Sequence, residues 1–226
     1  MSDRPDTETS MADPAALAQL QAEAAAAASA PDLRERVKTL TARMLHERRL
    51  MLEDVRAIVT AVTTGVGEGL GARGSEIREG LKQAFAGIDD AVGSAAQAAS
   101  YALQEAVSKG RDFKDNELKA SLEQLRDLES QLVDTLRQTA EQSGGKLREE
   151  LDSLVAHLRN SGTHTGEQVR EALQQLARGV RTSAEAGRAG LSESAGAAVD
   201  RLAQVASGVL EALSESLKRQ SERLRS

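Results

Sequence analysis

The sequence predicts an all-α protein built from long amphipathic helices, and three observations carry that prediction. Proline occurs at Pro5, Pro14 and Pro31 and at no later position, so no ring interrupts the helical hydrogen-bond ladder beyond residue 31. The same stretch is rich in Ala, Leu, Glu, Gln, Arg and Lys, the strongest helix formers, and has no alternating apolar–polar run of strand length. Leu or Val also recurs every eleven residues from Val37 to Leu224, at sixteen of eighteen steps, Arg48 and Lys114 being the exceptions. Eleven residues over three turns is about 3.67 per turn, close to the 3.6 of a free helix, so the apolar stripe runs nearly straight with a slight right-handed drift.

Residues 1–32 stand apart. They hold six acids (Asp3, Asp6, Glu8, Asp13, Glu23, Asp32) against Arg4 alone, and Ala15 to Ala30 is mostly Ala. Alanine buries little apolar area, so the segment reads as an acidic, Ala-rich, disordered tail or frayed helix. Its acidic start and weak apolar run fit neither a secretory signal nor an Arg-rich presequence. Asp32, followed three residues later by Glu35, marks a helix start, and 33–226 reads as the repeat domain. Four places combine Gly with other poor helix formers and are expected breaks: 65–74, 109–116, 143–145 and 160–166. The eleven-residue phase survives all four. The domain is therefore either one extended coiled-coil rod, about 290 Å long if continuous, or a hairpinned helical bundle.

Within each repeat, apolar residues also fall four and seven places after the anchor, giving one helical face. The stripe comprises Leu81, Val92, Leu103, Leu125, Leu136, Leu147, Leu151, Leu154, Leu158, Val169, Leu173, Leu176, Val180, Leu191, Leu202 and Leu213. The residue after the anchor is often basic, forming an edge of Arg126, Arg137, Arg148, Arg159, Arg170 and Arg181. One place further, acids recur every twenty-two residues (Glu105, Asp127, Glu149, Glu171, Glu193, Glu215), which suggests a 22-residue double repeat.

Composition narrows the function. With no Cys and no Trp, one Tyr and two Phe, there is no disulfide framework, no thiolate metal site and no base-stacking surface. No stretch of 18 uncharged apolar residues exists to span a membrane. Gly69-Leu70-Gly71-Ala72-Arg73-Gly74 matches the GxGxxG phosphate loop, with Ala57 to Thr63 as a strand before it and Asp89 or Asp90 as ribose ligand, yet no second strand follows and Leu70 keeps the helical register. It reads better as a hinge or a close helical contact. His157 and His164 lack a third ligand nearby, His46 is isolated, and Glu149 and Glu150 diverge on a helix. No nucleophile has an orienting base, so the chain reads as non-enzymatic, with no cofactor. The Arg edge is interleaved with acids and the net charge is -6, which argues against nucleic acid.

The stripe needs a cover. Self-association, as a homo-oligomer or with partner helices, is favoured, because Ala-rich sections permit close approach but drive surface insertion weakly. A lipid or polyester-granule surface is the alternative, and a stress-protection protein that folds conditionally is a second one. The repeat resembles those of exchangeable apolipoproteins, of the phasins that coat bacterial polyester granules, and of eleven-mer proteins of desiccation tolerance. It departs from the first in lacking proline punctuation and from the second in its few aromatics, Phe85, Tyr101 and Phe113. The stretches Asp54 to Gly74 and Leu147 to Gly166 are similar to an uncharacterised proteobacterial family. That resemblance implies a bacterial origin more than a function, and the expected location is the bacterial cytoplasm, free or peripheral to a membrane or granule.

Overall fold

In the computed structural model, residues 13–46, 52–71, 77–108 and 117–188 are described. Among them every regular element is an α-helix: α1 (Pro14–Ala27), α2 (Leu33–His46), α3 (Leu52–Gly71), α4 (Ile77–Ser108), α5 (Glu117–Gln142), α6 (Gly145–Ser161) and α7 (His164–Arg188). They form two compact units. The first takes the described residues up to Ala95 together with Leu128–Thr165; the second takes Ala96–Asp127 and the described residues from Gly166.

The first unit is organised around α3. Its first turn carries Glu53 and Asp54, which suit the positive helix start, and beyond Arg56 its only charge is Glu68. A helix so poor in charge is buried on most sides: Val55, Ile58, Val59, Val62 and Val66 are fully enclosed and Leu70 nearly so.

Against it lies α1, which corrects the expectation of an unpacked tail through residue 32. Asp13 caps this helix, its Oδ1 accepting from the Ala15 amide at 3.0 Å, and Pro14 occupies the first turn, where a missing N–H costs nothing. Leu20, Ala24, Ala27 and Ala28 are buried. The small alanines that argued for weak burial are what allow contact. A Cβ added at Gly65 would collide with the Gln21 carbonyl oxygen and lie 3.1 Å from Ala24 Cβ; one at Gly69 would collide with the Ala25 oxygen and lie 2.6 Å from Ala28 Cβ. The contacts advance together along both helices, so α1 and α3 run in the same direction with their backbones touching. Residues 1–12 lie outside the described part.

The expected break at 65–74 is likewise corrected as far as Gly71, because α3 runs unbroken through Gly65, Gly67 and Gly69. Ala57 to Thr63 is helix rather than strand, and residues 72–76 lie outside the described part, as does the expected break at 109–116.

Both remaining breaks are present. Ser143 and Gly144 separate α5 from α6, and Gly145 has φ +56°; Gly162 and Thr163 separate α6 from α7, and Gly162 has φ +78°. These are backbone conformations that favour glycine. At the first turn the chain folds back: Arg159 of α6 reaches Asp134 of α5 at 3.7 Å, and Thr163 reaches Glu129. The hairpinned bundle, not the uninterrupted rod, is therefore the arrangement of this section. Within the same unit α6 tracks α4, Arg78 Nε meeting Glu150 Oε2 at 2.7 Å, and α2 meets α4 through Arg34 and Asp90 at 2.9 Å. In the second unit α7 packs on α4, where Ser100 Oγ donates to the Ala172 carbonyl at 3.2 Å.

The α1–α3 contact yields a paired prediction. Gly→Ala inside a helix ordinarily gains up to about 1 kcal/mol, but Gly69→Ala would press a methyl into backbone, so we expect a net loss of about 1–2 kcal/mol in denaturant unfolding. Gly71→Ala, with nothing within 4 Å among the described residues, should be neutral or stabilising by up to about 1 kcal/mol.

Candidate functional site

The apolar stripe is the feature that sequence singles out for function, and its surroundings decide what it is free to do. Of its twelve members with described side chains, ten are buried: Leu81, Val92, Leu125, Leu136, Leu151, Leu154, Leu158, Val169, Leu173 and Leu176. Leu103 and Leu147 are half-buried. The side chain of Val180, and Leu191, Leu202 and Leu213, lie outside the described residues. The eleven-step anchors before the stripe, Val37, Val59 and Leu70, are buried as well.

Where four helices meet in the first unit, Leu81, Ala84 and Phe85 of α4, Leu136 of α5, Leu151 and Leu154 of α6 and Thr63 of α3 enclose about 10 Å³. That is room for one water at most, far below the roughly 300–1,000 Å³ of a ligand pocket. The Thr63 hydroxyl, and that of Thr41, have no hydrogen-bond partner among the described residues.

The basic edge is neutralised residue by residue. Arg126 pairs with Asp127 at 3.3 Å, Arg137 with Glu141 at 3.4 Å and Asp134 at 3.8 Å, Arg148 with Asp152 at 3.8 Å, and Arg159 with Asp134. Each such exposed pair adds little stability, but together they cancel the positive potential that an evenly spaced row of arginines implies. Arg170 is half-buried, and the side chain of Arg181 lies outside the described residues.

The structure adds a polar clamp that the sequence reading did not assign. The buried Asp89 of α4 accepts from the His164 amide at 2.7 Å through Oδ2 and from the Thr165 amide at 2.8 Å through Oδ1, while Thr165 Oγ1 donates to the Asp89 carbonyl at 3.0 Å. Glu129 of α5 accepts from the Thr163 amide at 3.1 Å and the Thr163 hydroxyl at 3.2 Å. The first amides of α7 are thus satisfied by a carboxylate some seventy-five residues away in sequence, a cap that complements the helix dipole. This is what became of one proposed ribose ligand; the other, Asp90, pairs with Arg34. A signal existed: Asp89 follows Phe85 by four and precedes Val92 by three, so it lies on the apolar face, where an acid must find donors. Its partner was not readable.

His157 and His164 are exposed, and among the described residues no three His, Asp or Glu are placed to hold a metal. Glu149 is exposed, whereas Glu150 turns to Arg78 along an open groove of about 170 Å³ lined also by Lys82, Ser153, Leu154 and His157. The hydrogen bond from Arg78 holds the Glu150 carboxyl below the usual carboxylate range, and Arg78, Lys146 and Lys82 add charge in the same direction. Glu23 is lowered likewise by its hydrogen bonds from Arg43 and Gln19.

Compared with protein families, residues 7–219 match a family of unknown function, DUF6781, and the chain belongs to that family. Comparisons with curated proteins and with solved structures gave no match. No described helix is long and apolar enough to cross a membrane.

Two predictions follow from the polar contacts. Asp89→Ala strands two backbone amides, and we expect a loss of about 2–4 kcal/mol in unfolding free energy, with faster hydrogen exchange at His164 and Thr165. Because the folded-state pKa of Glu150 is lowered, its contribution is complete above the ordinary carboxylate pKa and is lost as pH falls through the lowered value. Glu150→Gln should therefore reduce the melting temperature near neutrality, and the gap from the natural protein should close on acidification.

Proposed function

We propose that this member of the DUF6781 family is a non-enzymatic helical scaffold that acts by self-association of its amphipathic repeats. The observation that carries the reading is the burial of the stripe: ten of twelve described members are packed against other helices. Side chains already covered in this way have no surface left for a further contact, so association would re-form the same helix–helix contacts between two copies, which carry identical surfaces. The eleven-step anchors continue in sequence through Leu191, Leu202, Leu213 and Leu224, so the chain holds more repeat than the ten buried members account for.

The alternative, a phasin- or apolipoprotein-like coat on a lipid or polyester surface, ranks second. Tyr101 is the one large apolar side chain exposed among the described residues, and the arginines that would meet an anionic surface are engaged by neighbouring acids. Both features weaken surface binding relative to helix pairing.

Light scattering of the full chain decides between them. Self-association predicts a mass above the 24.0 kDa of one chain, growing with concentration, and a melting temperature that rises with concentration. A mass of one chain at every concentration, together with flotation on anionic vesicles that fails at high salt, would instead favour the coat.

A further inference from the structure

The two turns of the α5–α6–α7 section are built in opposite ways. The Gly162–Thr163 turn is held by five hydrogen bonds that Thr163, His164 and Thr165 donate to Glu129 and Asp89. Among the described residues, no side chain of another helix hydrogen-bonds to the Ser143–Gly145 turn. Gly144 at the start of α6 makes no side-chain cap, and among the described residues a Cβ at Gly144 or Gly145 would have nothing within 4 Å. The bonds of Ser143 are local to α5: its amide donates to the Ala140 carbonyl at 3.1 Å, three residues back, and its hydroxyl to the Thr139 carbonyl at 2.7 Å, so neither ties the turn to another helix.

The eleven-residue phase continues across this turn as it does across the Gly162–Thr163 turn, and here it continues without a clamp. Leu132, Leu136 and Ala140 before it and Leu147, Leu151, Leu154 and Leu158 after it keep one eleven-residue register. A hairpin turn requires no such relation, because each helix can rotate its own stripe inward whatever the length of the connection. Phase across residues 143–145 matters physically when those residues are themselves helix.

We propose that two copies of the chain exchange the part that follows Gly144: the Ser143–Gly145 turn straightens, α5 and α6 become one helix with one continuous stripe, and α6 docks on the partner. This inference rests on the self-association reading and names its geometry. The occupant is a second copy because each contact that holds α6 in the first unit joins a residue before the turn to one after it. Gly67 faces Leu147, Arg78 pairs with Glu150 and Asp134 pairs with Arg159. A partner supplies each of them without any new surface, which is the economy of domain swapping. What changes is the turn: Gly145 leaves φ +56° for the helical region.

The test uses the full chain, which has no cysteine of its own. Asp134→Cys with Arg159→Cys, both sites about half exposed, is bridged by a short bis-maleimide in the dimer fraction and run on a denaturing gel. Exchange predicts a covalent band at twice the chain mass. The double change Gly144→Ala, Gly145→Ala favours the straight form and disfavours φ +56°, and should raise the dimer share at fixed concentration by about tenfold. Inserting Gly-Ser-Gly-Ser after Gly144, which spares every packed residue, should lower it. A dimer bridged only within single chains would overturn the exchange and leave self-association standing. A single-chain mass for every variant, the double alanine form included, would overturn both.

Discussion

Leu and Val side chains placed at the same angle every third helical turn cannot remain in water, and satisfying them is the constraint on which the rest of this molecule depends. A stripe only about three positions wide in eleven is too narrow to make a core alone. It becomes one when several stripes face one another. Hence α3, whose one charge beyond Arg56 is Glu68, sits among its neighbours, and Leu81, Phe85, Leu136, Leu151 and Leu154 converge from three other helices on its Thr63. The absence of Trp and the scarcity of Phe and Tyr then set the scale. With aliphatic and alanine contacts, helices must approach closely to leave no void, and at Gly65 and Gly69 they approach until backbone meets backbone.

Polar groups follow from the same packing. When an acid falls on the inner face, as Asp89 does, it cannot stay without donors, and the open N-terminus of α7 supplies two amides. The acid gains partners and the helix gains a cap from one contact. On the outer face Arg126, Arg137, Arg148 and Arg159 each find a carboxylate on their own helix or the next. The exterior thereby loses the strong positive character that the arginine row taken alone implies.

The helical class and the inner face were legible because both rest on period, and period survives any tertiary arrangement. Val37, Val59 and Leu136 could be assigned to the interior from spacing alone, and they are fully or almost fully buried. The turns at 143–145 and 160–166 were legible from glycine and its neighbours. What was not legible depends on partners distant in sequence. The Ala-rich α1 looked too small-sided to pack because its partner face of Gly65 and Gly69 lies more than forty residues away; the glycines in turn read as a hinge or a close helical contact, undecided because α1 was not known to fill them. The same blindness hid the Asp89 clamp. The stripe was the readable part of the candidate site, and its burial by the chain's own helices was left open between packing and surface binding by sequence alone.

The eleven-residue register marks the inward face of helices packed on one another within the chain. Single cysteines introduced one at a time into this cysteine-free chain test it most directly, by their rate of reaction with a maleimide under native conditions. Cysteine at Leu136, Leu151, Leu158 or Leu173 should react orders of magnitude more slowly than cysteine at the neighbouring exposed Arg137, Asp152, Arg159 or Gln174, and the difference should vanish in denaturant. Equal rates at the two sets of positions in the native chain would mean that the register does not mark the buried face, and the account would be wrong from its first step.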